Sequence, residues 1–300
     1  MEVRHVDMGP TEAAELPTGR LYTREQLQNY TASRRDGLPW ADELRKRNQI
    51  CLLITLTGHQ IQVPQTTIAA ACNYAHRFFA PMSLQNSNFS VAAAALFLAG
   101  KVLETAKSVK EITTVMYRIR HRNDKAALDR LQDPAFFTMV KDSVVTAERS
   151  LLYVLELQLE VDNAYKQLME AIDQLALKQV EGFVQKCWNF LNDSWFQIMC
   201  LQYPLRDIAL GIIYLVCAMH KRPQPRNSHT GQLWYRERGL DHSQIEDIAR
   251  QLLELLWHGP RKAPLPPISP QGAPAARPLL ARCARTITKH ARACGSNGNA

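Results

Sequence analysis

Apolar positions return every three or four residues along almost the whole chain, the period of an amphipathic helix. The first such segment covers residues 42–57 and is followed by Gly58, placed to cap it. A second starts at Pro64, where a first-turn proline is tolerated, and runs to Phe79 before Pro81 stops it. Ser90 stands as N-cap to VAAAALFLAGKVLE, whose first ten residues are apolar on every side. A helix without a polar face belongs at the centre of a domain, and its four consecutive alanines allow close approach by neighbours. Residues 110–120 and 134–155 complete a first set of about five predicted helices.

A second set follows the same plan. Tyr165, Leu168, Met169, Ile172, Leu175 and Ala176 keep one helical stripe, and residues 182–201, 207–220 and 243–257 continue it. Phe97-Leu98-Ala99 and Tyr214-Leu215-Val216 each lie in the most apolar helix of their set. The period-two stretch LQLEVD at 157–162 falls between helices and is expected as an extended connector rather than a strand. The pattern predicts an all-α protein with two helical domains of shared plan.

Composition adds little to that picture, and charge adds something specific. With 46% apolar and 21% charged residues the chain reads as a soluble globular protein. Its longest apolar runs are too short for a bilayer, so no membrane partner is expected. The N-terminus has no apolar signal core, and seven widely spaced cysteines without a Cys-x-x-Cys point to a reducing intracellular compartment. The formal net charge of +8 is concentrated in residues 259–300, which hold seven cations, no acid and seven of the sixteen prolines. Such a segment is expected to be a disordered basic tail, capable of weak nonspecific contact with nucleic acid. The remainder is nearly neutral, which argues against a compact nucleic-acid-binding domain.

The motifs of common enzymes are missing: there is no Gly-rich phosphate loop, HExxH, GxSxG or kinase signature, and no His or Cys cluster with zinc-ligand spacing. A binding module without cofactor or metal is the expectation. Two charges carry the interest. Glu148 has Val144, Val145, Leu151 and Leu152 one turn away on either side, so its carboxylate projects from an apolar stripe, where it needs a partner. Lys101 closes the central helix, with Phe97 and Leu98 behind it and Glu104 ahead. Two readings stay open: a dipole-stabilised cation and an internal ion pair, such as these two residues with each other, or a docking site for a partner.

Four stretches, LYTREQLQNYTASRRDG (21–37), VPQTTIAAACNYAHRFF (63–79), LFLAGKVLETAKSVKEI (96–112) and CWNFLNDSWFQIMCLQY (187–203), resemble the cyclin family, in the transcriptional T/K type and the plant and algal T-type pattern. The resemblance implies tandem five-helix cyclin boxes at 41–160 and 161–258, after an N-terminal segment (1–40) and before the tail. It implies a nuclear regulatory subunit that binds and activates a cyclin-dependent kinase as a heterodimer and acts indirectly on RNA polymerase II. Lys101 and Glu148 stand where the family holds the kinase's mobile helix. Phe97, Leu103 and Glu104 would lie in or beside that patch, and Leu157 would occupy an aromatic contact position. Leu103 replaces an acid of the family pattern, Ala106 a proline, Glu156-Leu157 a Gly-aromatic pair, Leu21 a tryptophan and Trp234-Tyr235 a Trp-Trp pair. A TFIIB-like transcription factor and a cyclin-fold scaffold without a kinase are the alternative readings.

Overall fold

The computed structural model describes residues 21–84, 88–227 and 230–258. The expected tail lies outside them. In chain order the helices are α1 (Arg24–Tyr30), α2 (Ala32–Arg35), α3 (Trp40–Gln60), α4 (Gln65–Phe78), α5 (Asn88–Val102), α6 (Val109–Arg120) and α7 (Lys125–Arg130). They continue with α8 (Pro134–Val154), α9 (Ala164–Gln174), α10 (Phe183–Ser194), α11 (Leu205–Met219) and α12 (His242–His258), and a 3-10 turn spans Ile198–Leu201. Among the described residues no strand forms, and the single bridge pairs Arg226 with Leu233. Of LQLEVD, Leu157 is left-handed at φ 58° and belongs to the turn after α8, so the connector between α8 and α9 starts at Gln158.

The apolar helix α5 is surrounded as its sequence demands, with α3, α4, α6 and α8 packed on it. Ala92, Ala93, Ala94 and Ala95 are all buried. Helix α11 has the same role among α9, α10 and α12. A β-carbon at Gly211 would stand 2.3 Å from Ile248 Cγ2, so the α11–α12 approach depends on the missing side chain. One continuous apolar cluster runs through both helix sets. The cysteines at 51, 72, 187 and 217 are buried in it as free thiols, and burial raises the Cys51, Cys187 and Cys217 thiols above the usual range.

Three sequence expectations need correction. Ser90 is not an N-cap: α5 begins at Asn88, and the Ser90 hydroxyl lies within the helix, 2.9 Å from Ser143 Oγ on α8. Gly58 is not a C-cap either. It sits inside α3, where a β-carbon would meet Ile68 Cγ1 at 2.6 Å, so its smallness serves packing against α4. The cap belongs to Gln62, left-handed at φ 57°, with Val63 N–H donating to Gly58 O and Gln62 N–H to His59 O. The segment 182–201 is not one helix: α10 stops at Ser194, whose hydroxyl donates back to Leu191 O.

That break frees the Trp195 carbonyl to face α4. His76 Nε2 lies 3.0 Å from Trp195 O and 3.2 Å from Cys51 Sγ. Burial, and secondarily the Arg47 charge, lower its pKa to about 3, so the imidazole is neutral. Beneath it lies a buried polar network. Arg47 donates to Glu43 Oε1 at 2.9 Å and to the carbonyls of His76 at 3.1 Å and Phe79 at 2.5 Å. Thr31 donates to the other Glu43 oxygen at 2.7 Å.

The first described residues strap this assembly together. Tyr22 N–H donates to Leu201 O at 2.8 Å, Ala32 N–H to Ala80 O at 3.2 Å, and Arg24 reaches Glu254 on α12 at 3.0 Å. Tyr22 and Leu27 share a small apolar cluster with Ala80, Ile198 and Leu201.

Candidate functional site

The C-terminus of α5 is built without glycine at the left-handed position. Glu104 takes φ 57°, Thr105 N–H donates to Gly100 O at 2.8 Å, and Glu104 N–H donates to Lys101 O at 3.3 Å. This pair of bonds is a Schellman ending. Thr105 Oγ1 lies 2.9 Å from Thr67 Oγ1 and ties the loop to α4. The backbone beneath Lys101 is therefore fixed from both sides. Helix α8 starts from an Asp133 cap with Pro134 in its first turn, and crosses α5 closely enough for the Ser90–Ser143 contact.

At that crossing Lys101 Nζ lies 2.7 Å from Glu148 Oε1, and 4.0 Å from the centroid of the Phe97 ring. The Glu148 side chain is 11% exposed and that of Lys101 is 46% exposed. The lysine stem covers apolar surface while its ammonium supplies the counter-charge the carboxylate needs. Of the two readings left open above, the internal pair is the one the free chain adopts. Because the lysine is half in water, the pair contributes only about 0–1 kcal/mol. Such a pair exchanges partners at small cost, since the ammonium carries three donors and this contact uses one.

The structure brings Lys101, Glu148 and Phe97 into one contact group. Leu103 and Glu104 follow directly in the chain; Leu103, 37% exposed, also borders a small cavity with Tyr165 and Trp195. Leu157 is left-handed like Glu156 before it, is 71% exposed, and lines a separate groove with Leu21, Arg77 and Tyr203. It does not share the Lys101 contact. Sequence reasoning missed Tyr153, on the last turn of α8 and 85% exposed. The available signal was an aromatic ring one turn beyond Arg149 and Ser150. It also missed Arg47, which has apolar Leu44, Ile50 and Cys51 among its helical neighbours and an acid, Glu43, as the fourth.

Among the described residues no group of three His, Cys, Asp or Glu side chains is arranged to hold a metal ion, and no helix is long and apolar enough to cross a membrane.

Residues 21–160 match the family described as "Cyclin, N-terminal domain". Cyclin-T1-3 of Oryza sativa subsp. japonica is 33% identical over 256 residues, which cover 85% of this chain and 51% of the rice protein. Putative cyclin-T1-1 of Arabidopsis thaliana is 31% identical over 236 residues, covering 78% of this chain and 92% of that protein. The chain belongs to the cyclin family, within its T-type group. It spans about half the length of the rice relative, or 51%. The crystal structure of the yeast RNA Pol II CTD kinase CTDK-1 complex contains a chain of the same fold, with TM-score 0.64 at 17% identity over 94% of this chain and 86% of that one.

Proposed function

We propose that this chain is the noncatalytic regulatory subunit of a transcriptional cyclin-dependent kinase. The first cyclin box, 41–160, meets the kinase through the α5–α8 crossing, and the second, 161–258, packs behind it. Lys101 donates to carbonyls of the kinase's mobile helix and Glu148 accepts from it, with Phe97, Leu103 and Glu104 beside them; Leu157 forms an outlying contact. The observation that carries the reading is the half-exposed Lys101–Glu148 pair at the end of the most apolar helix of the first set, in a chain whose relatives are T-type cyclins. Lys101 is the exposed half and Glu148 the buried half of that pair.

The mechanism is a population shift. A kinase whose catalytic helix swings out is inactive, because its helix glutamate no longer pairs with the ATP-site lysine. A partner that binds only the inward helix stabilises that state by its differential affinity. The complex would act in the nucleus on the C-terminal domain of RNA polymerase II and promote elongation.

The test is purification of the full chain from its native cell, with mass spectrometry of what accompanies it. A transcriptional kinase, active on a peptide of the polymerase C-terminal repeat only when this chain is present, is the expected result. Recovery without any kinase would overturn the reading and leave the scaffold alternative.

A further inference from the structure

Positive charge in the described region is unevenly placed. Between Lys107 and Arg130 there are seven cations and three acids, in a chain whose other described parts are close to balance. Three of the seven, Lys110, Arg118 and Arg122, line a groove of about 560 Å³ between α6 and the α7–α8 corner. All three are exposed, and among the described residues none of them forms an ion pair. The opposite wall is apolar, formed by Leu128, Leu131 and Phe137, each half-buried. One carboxylate, Asp129, stands on that wall.

The cations follow from helical spacing. Lys110, Thr114 and Arg118 repeat at four-residue intervals along one face of α6, and Arg122 continues the interval just past its end. Arg118, on the last turn of α6, and Arg122, in the turn that follows it, line the same groove, so both can reach one anion. A guanidinium presents paired N–H donors that match phosphate oxygens, and a phosphate carries nearly twice the charge of a carboxylate.

We propose that this groove binds a short extended peptide phosphorylated on serine or threonine. Side chains of an extended strand alternate in direction, so phosphoresidues at every second position face the α6 cations while the apolar residues between them face Leu128, Leu131 and Phe137. From Lys110 to Arg118 the cations of α6 span roughly 12 Å at helical rise, the length of about four extended residues, and Arg122 lengthens the row past the helix end. Nucleic acid fits less well. Grooves for single strands offer aromatic faces for base stacking, and here the wall opposite the cations is mainly aliphatic. This site lies outside the kinase contact proposed above and does not depend on it.

The test is fluorescence anisotropy on the full chain at physiological salt, with a labelled eight-residue peptide in which leucine alternates with phosphoserine. Its unphosphorylated form, its aspartate form and a single-stranded RNA of equal charge serve as competitors. The phosphopeptide is expected to bind at least tenfold more tightly than either peptide control. Arg118→Gln with Arg122→Gln should lower its affinity at least tenfold, with an unchanged circular dichroism spectrum and melting temperature. Lys125→Gln with Arg130→Gln removes the same charge from residues outside the groove lining and should leave binding within twofold. Equal loss in both double variants would overturn the proposal in favour of diffuse attraction. Tighter binding by the RNA, aspartate peptide binding as well as phosphopeptide, or no binding at all, would also overturn it.

Discussion

The Nε2 of His76 on α4 lies 3.0 Å from the carbonyl oxygen of Trp195, so one neutral imidazole joins the first helix set to the break after α10. Its folded pKa of about 3 is far below the usual histidine value. Between these limits the unfolded chain binds the extra proton, so stability rises with pH there and is complete above about pH 6.5. Urea unfolding should show a loss of about 1.4 kcal/mol from this group between pH 7.5 and 5.5. His76→Gln should be less stable at neutral pH and show a correspondingly flatter dependence. A wild-type profile matching that of the variant would refute this account.

Lys101→Ala and Glu148→Ala separate docking from folding. In the free chain the half-exposed pair contributes only about 0–1 kcal/mol, so Lys101→Ala should barely move the melting temperature. Kinase binding should weaken by about 2–5 kcal/mol in either variant, the range for truncating one partner of an interfacial charge contact. Calorimetric titration against the purified kinase gives the number. Unaltered binding by both variants would remove the α5–α8 crossing from the interface.

Helix α3 carries a glycine where packing needs one and lacks it where the backbone would prefer one. Gly58→Ala should cost about 1–3 kcal/mol, because the new methyl group meets the buried Ile68 side chain. Gln62→Gly should gain about 1 kcal/mol by relieving the left-handed residue. Chemical denaturation of the two variants should therefore shift in opposite directions. A stabilising Gly58→Ala would mean that α3 and α4 separate easily.

Arg47 is 2% exposed and donates to Glu43 and to two carbonyl oxygens. Arg47→Ala leaves the Glu43 carboxylate buried with only Thr31 beside it, and should cost about 3–5 kcal/mol by equilibrium unfolding. Converting Glu43 and Arg47 together to leucine should cost less than the sum of the two single changes.

What could be read in advance follows from the kind of signal involved. The all-round apolar character of α5 and α11 announced their central positions, because burial on every side leaves no polar face to write. The isolated charge of Glu148 announced its need for a partner, but which partner required the crossing of two helices 47 residues apart. Helix ends were poorly legible for a physical reason. Gln62, Glu104, Glu156, Ala176 and Lys221 all adopt left-handed φ values just after helices, so the usual glycine punctuation is absent at all five. Arg47 has three apolar helical neighbours where Glu148 has four, and the fourth, Glu43, gave it the look of an ordinary surface ion pair.

The strap formed by α1 and its flanks sets an order on folding. Tyr22 pairs with Leu201 and Arg24 with Glu254, contacts that close loops of nearly the whole described chain. During synthesis Ala32 can pair with Ala80 early, but Tyr22 must wait for Leu201 and Arg24 for Glu254. Local packing around α5 can proceed meanwhile, but the long-range closures come late and slow the final step. Tyr22 and Arg24, made long before their partners, are thus among the last residues to be fixed in place.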